Sequence, residues 1–131
     1  MESLEMKKIL ALTILTSVLC FGAHAAEPRQ VSLKGLAGQV ERDRTTWSFL
    51  VTPTIRDRAN RAVSGATVVV NFQFGGTRSC VTNGSGSCTV RVDRLSYGFY
   101  SNRGEVTGVS GNNMVYVPAH NTVQTWVSRS P

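Results

Sequence analysis

The chain has 131 residues and a formal charge of +6, set by 14 Lys and Arg against 8 Asp and Glu. That length holds one domain with one modest core. Only His120 among the histidines lies beyond the first 25 residues, so the inventory supports neither a nucleophile, base and orienter set nor a multi-ligand zinc site. We therefore expect no enzyme, no cofactor and no metal.

In chain order, Met6-Lys7-Lys8 precedes the apolar run from Ile9 to Phe21, which ends at Ala23-His24-Ala25. A basic start, a short apolar stretch and an A-x-A site are the layout of a secretory signal peptide. The run of roughly 13 residues is short of the ~20 that a spanning helix needs. A lipoprotein would require processing at Cys20, where Leu19 stands in place of a small residue. The expectation is a cleaved segment over residues 1–25 and an exported protein, periplasmic or extracellular. About 106 residues then remain, the size of one β-sandwich domain.

Residues 26–45, with Pro28, Lys34, Gly35 and Gly38, read as an extended leader with room for a short first strand. A domain is expected over 46–131. Residues 46–55 alternate, with Trp47, Phe49, Val51 and Ile55 on one face and Ser48, Thr52 and Thr54 on the other, which predicts a half-buried strand. Pro53 lacks an amide hydrogen and predicts a bend or an edge near the end of that strand. After a polar turn over 57–61, Val68, Val70, Phe72 and Phe74 alternate with Thr67, Asn71 and Gln73. Gly75-Gly76 then closes this strongly predicted strand.

Residues 77–82 and 87–92 flank Asn83-Gly84-Ser85-Gly86, which reads as a hairpin. Loss of Cys20 with the leader leaves Cys80 and Cys88, and an even pair in an exported protein is most simply a disulfide. Direct pairing of the two cysteines across a hairpin would set Arg78 on the apolar face opposite Val90, so either Arg78 sits at a fraying end or the register slips. Further strands are predicted over 105–110 and 114–117, and residues 122–127 either extend the last strand or trail away. Short strands separated by turns, without an amphipathic helix, predict an all-β, antiparallel β-sandwich of about seven strands.

The run from Trp47 through Asp57–Val70 (DRANRAVSGATVVV), with Cys80–Val90 (CVTNGSGSCTV), Glu105–Ser110 (EVTGVS) and Val115–Asn121 (VYVPAHN), resembles a bacterial immunoglobulin-like domain. Such modules are appended to secreted peptidases and other exported proteins and are loosely related to the Ig-like domains of invasin and intimin. Arg61 stands where that family's turn usually has glycine. The resemblance implies an Ig-like fold and a non-catalytic binding, interaction or adhesion role at or outside the cell surface, with another protein or a cell-surface component as partner.

Two further groups of residues are candidates for recognition. If neighbouring strands run antiparallel, Arg42 and Arg44 approach Arg91 and Arg94 at one end of the sandwich, where they could hold an anionic polymer: a glycan, lipid headgroup or nucleic acid. The alternative is a solvated rim that keeps a small domain soluble. Tyr97, Phe99 and Tyr100 break the strand pattern and form a candidate recognition loop. A third reading of function is an inhibitor or immunity-type partner of another exported protein.

Overall fold

The structure, a computed structural model, describes residues 27–131; the expected leader over 1–25 and Cys20 lie outside the described residues. Eight strands form: β1 (Arg29–Arg42), β2 (Thr46–Asp57), β3 (Thr67–Phe72), β4 (Gly76–Val81), β5 (Val90–Ser96), β6 (Asn102–Ser110), β7 (Met114–Tyr116) and β8 (Trp126–Arg129). A 3₁₀ turn, η1 (Pro118–His120), interrupts the last part of the chain. The strands make two sheets of four, in the orders β5-β2-β1-β7 and β4-β3-β6-β8. This is the all-β sandwich that the alternation predicts, compatible with an immunoglobulin-like domain. All pairings are antiparallel except β1 with β7, which is parallel. Among the described residues no helix is long and apolar enough to cross a membrane.

β2 shows why these sequences choose this fold. Every odd position from Trp47 to Asp57 is buried, and every even one is partly exposed. A pleated strand points alternate side chains to opposite faces, so Trp47, Phe49, Val51 and Ile55 enter the space between the sheets together. They meet Val68, Val70 and Phe72 of β3, Val90, Val92 and Leu95 of β5, and Val106 and Val109 of β6. Phe49 and Phe72 pack edge to face across the layers, with centroids 5.7 Å apart. Full burial of each such side chain contributes roughly 1.5–3 kcal/mol.

Four expectations change in detail. Residues 29–42, read as part of an extended leader with room for a short first strand, form the longest strand, an inner member of its sheet. Its glycines mark close packing. A Cβ at Gly38 would lie 3.0 Å from Val127 Cγ2 and 3.2 Å from Phe49 Cε1, and one at Gly35 would lie 3.2 Å from Thr54 Cβ. Pro53 is buried in an inner strand, not at an edge or a bend. Its carbonyl accepts from Cys88 N at 3.4 Å, so its missing N–H faces the side where the regular β2–β5 ladder has already ended at Val51. Residues 122–127 do not extend β7; the chain changes sheet there, and β8 pairs with β6.

The fourth change concerns the cysteines. Cys80 and Cys88 are disulfide-bonded, with Cα atoms 5.9 Å apart, but no hairpin joins them. β4 lies at the edge of one sheet and β5 at the edge of the other, and residues 82–89 cross between the layers. Arg78 pairs with Val70, not with Val90, which removes the conflict that a hairpin register creates. Gly86, with φ at 81°, turns the crossing; a Cβ there would stand 2.6 Å from the Ile55 carbonyl oxygen. The crossing is anchored by Ile55 N donating to Gly86 O at 2.8 Å and by the Asn83 carboxamide oxygen, which accepts from Ser85 N at 3.0 Å and Ser87 N at 3.2 Å.

Candidate functional site

Three turns meet at one end of the sandwich: residues 43–45, 73–75 and 97–101, which follow β1, β3 and β5. A bulge prepares this end. Trp47 pairs with Leu95 and Phe49 with Val92, so two residues of β5, Asp93 and Arg94, face the single Ser48. Uninterrupted alternation would turn residue 94 inward. The extra residue sends Leu95 into the core and leaves Arg94 in solvent, at the cost of a left-handed backbone at Arg94 with φ at 61°, a conformation uncommon outside glycine.

The loop over 97–101 is held from several sides. Trp47 Nε1 donates to the Ser96 carbonyl at 3.1 Å, Phe99 N donates to the same oxygen at 2.9 Å, and the Tyr97 hydroxyl donates to Asp43 O at 2.6 Å. The Phe99 ring stacks on Phe74 with centroids 4.4 Å apart and planes 26° apart. Beneath them Asn102 is fully buried; its side chain accepts from Phe74 N at 3.0 Å and donates to Phe74 O at 2.7 Å, tying the turn after β3 to the start of β6. On this support Tyr97 and Phe99 are 37% and 38% exposed and Tyr100 is 84% exposed. The structure thus gathers all three predicted loop aromatics at one end. Phe74 and Asn102, which orient them, were missed: Phe74 shares the parity of core residues in its segment, and Asn102 carries no local motif.

The predicted arginines come together in part. Arg42, Arg91 and Arg94 line an open depression of about 460 Å³ at this end, and Arg44 is not among its lining. Glu41, Asp43 and Asp93 line it too. Arg91 Nη2 lies 2.7 Å from Glu41 Oε1 and its Nε lies 2.6 Å from Asp93 Oδ1. Hydrogen bonds from Ser48 and then Arg91 hold the Asp93 carboxyl below its ordinary range, and the bonds to Asp93 and then Glu41 raise Arg91 above its own. Arg91 is therefore a structural strut. Arg42 and Arg94 form no ion pair among the described residues, and they flank the depression. Among the described residues no group of three or more His, Cys, Asp or Glu is arranged to hold a metal ion.

At the opposite end Asp57, 3% exposed, takes the last inward position of β2. Burial alone would raise its pKa. The Arg61 amide at 2.9 Å, the Arg29 guanidinium at 3.0 Å and the positive charges of Arg61 and Arg29 outweigh that and leave the carboxyl below the usual range. Asp57 closes the turn over 57–61, in which Asn60 takes φ of 63°. The adjoining Thr82, also buried, donates to Val63 O at 2.6 Å and accepts from Ala66 N at 2.9 Å. These polar groups are architectural and complete.

No family model matches the chain, and no curated protein or solved structure matches it. The site must be read from its own chemistry.

Proposed function

We propose that this protein is an exported, non-catalytic immunoglobulin-like module that binds another protein through the end bearing Tyr97, Phe99 and Tyr100. The strand orders β5-β2-β1-β7 and β4-β3-β6-β8, with crossings between sheets after β2, β4, β5, β6 and β7, support the immunoglobulin-like reading and with it the likeness to bacterial modules of that class. The Cys80–Cys88 bridge supports an oxidising compartment.

One observation carries the binding reading: Tyr100 is 84% exposed on a loop that is otherwise tied down. An exposed tyrosine next to anchored loop residues offers a large amphipathic contact area. Tyr97 and Phe99 stand beside it in the same loop, and Arg42 and Arg94, which form no ion pair among the described residues, line a depression at the same end; aromatic residues and arginine are enriched in protein interfaces and their energetic centres. An anionic polymer is less well served here, because three carboxylates line the same depression and Arg91 is bound to two of them.

The test is binding of labelled protein to exported and cell-surface protein fractions, comparing the wild type with Tyr100→Ala and Arg42→Ala. Tyr100→Ala should weaken capture at least tenfold, equivalent to about 1.4 kcal/mol, and protease treatment of the fraction should abolish it. Equal capture by Tyr100→Ala would overturn the assignment. Binding that survives protease and disappears only with Arg42→Ala would replace it with the polymer reading.

A further inference from the structure

Half of the net positive charge of the described residues lies at the end of the sandwich opposite the aromatic loop. Around the start of β1 and the end of β2 stand Arg29, Lys34, Arg56, Arg58 and Arg61, against Glu27 and Asp57. Strand register brings them together, since Val31 pairs with Asp57 and Ser32 with Arg56. Several of these cations already have partners. Arg29 and Arg61 close on Asp57, and Arg56 donates to Asn60 O at 3.1 Å. Arg58 is exposed and pairs with no carboxylate among the described residues.

Beside Arg58 is a depression of about 250 Å³ lined by Ser32, Lys34, Arg58 and His120. The Lys34 ammonium donates to the His120 carbonyl at 2.8 Å. That bond positions the charge and leaves two of its three N–H groups for another acceptor. Ser32 contributes a hydroxyl from a nearly buried position, and His120 a ring N–H in either tautomer. No carboxylate lines this depression, whereas three line the one at Arg42, Arg91 and Arg94. η1 is what brings His120 here, because Thr122 N donates to Leu33 O and Leu33 N donates to the Asn121 carboxamide at 2.8 Å.

We propose that Ser32, Lys34, Arg58 and His120 form a binding site for one phosphate group, free or as the monoester of a small sugar. A forked guanidinium, a point-charge ammonium, a hydroxyl and a ring N–H together suit a tetrahedral dianion; a carboxylate would need only the fork. The volume is below that of typical ligand pockets, which fits a single anionic group and not a polymer backbone. This site was not legible as a motif, since its residues come from 32–34, 58 and 120 and share no spacing.

Nuclear magnetic resonance titration tests the proposal, following the His120 ring and the backbone amides of Lys34 and Arg58. Inorganic phosphate, glucose 6-phosphate, acetate and chloride are added in turn at matched ionic strength. Saturable shifts confined to this depression are expected with phosphate and not with acetate or chloride. Arg58→Ala removes an exposed side chain with no ion pair among the described residues, so the fold is retained, and it should weaken phosphate at least about tenfold; Lys34→Ala should act in the same direction. Tighter binding of glucose 6-phosphate assigns a sugar monoester, and equal binding assigns the free anion. Arg78→Ala on β4 removes the same charge elsewhere and should leave affinity unchanged. Shifts that never saturate, that chloride reproduces, or that Arg78→Ala diminishes as much as Arg58→Ala would overturn the site and reduce it to diffuse screening. The readout does not involve Tyr100, so its failure leaves the protein-binding assignment untouched.

Discussion

Asp57 concentrates the chemistry of this fold in one side chain. It occupies a core position of β2 as a carboxylate, and burying a charge is unfavourable unless it is paired and hydrogen-bonded. Arg29 and Arg61 supply the pairing, and the Arg61 amide supplies a backbone donor. Asp57→Asn keeps the shape and removes the charge; it should cost about 1–3 kcal/mol at neutral pH, read by urea denaturation. The folded carboxyl titrates below its ordinary value. Its contribution is therefore complete above the unfolded pKa of about 3.9 and is lost as pH falls through the lower folded value. The gap between wild type and Asp57→Asn should close under acid. A gap that stayed constant from neutral pH into that acid range would show that the charge contributes nothing.

At the scale of elements, the connection from β4 to β5 separates what local pattern reveals from what it hides. Two cysteines straddling Asn83-Gly84-Ser85-Gly86 have the same local signature whether the chain folds back beside itself or passes to the facing sheet. What decides is distant: Val90 and Val92 pair with Val51 and Phe49 of β2, and that register takes β5 away from β4. The bridge consequently joins two sheets at their edges. Replacing both cysteines with serine should lower stability by about 2.5 kcal/mol for a loop of roughly nine residues in the chain-entropy treatment. Hydrogen exchange should quicken first in β4 and the crossing, and last in β6. Uniform acceleration would mean that the bridge does not act at this seam.

β2 and β3 were legible for a plain reason: one face of each meets the core and the other meets water, so period two survives in the letters. β1 was not. Where β8 and Phe49 press on it there is room only for glycine, and a strand chosen for thinness looks like a linker. The same limit governs the aromatic end. The expectation that Arg42 and Arg44 approach Arg91 and Arg94 rested on antiparallel pairing alone; Glu41 and Asp93 flank the arginines on the same strands, and only geometry shows that Arg44 stays out of the depression and that Arg91 is bound to both acids. Tyr97, Phe99 and Tyr100 stood out because they broke the alternation.

Over the whole molecule, polar chemistry is sorted by end. One end carries exposed aromatic rings beside a depression in which acids and arginines are interleaved; the other carries arginines and a lysine around Asp57, which Arg29 and Arg61 pair. The two proposed surfaces are thus separated by the length of the strands, and occupancy of one leaves the other open.

The direction in which the chain traverses this body has a mechanical consequence. Arg29 begins β1 at the basic end, and Arg129 closes β8 beside Asn102 at the aromatic end, so a pull between these residues runs along the strands. The bonds of β1 to β2 and β7, and of β8 to β6, would then share the load in shear and could not unzip one at a time. Single-molecule stretching between residues 29 and 129 should show a higher rupture force than stretching across the strands, from residue 78 to residue 115.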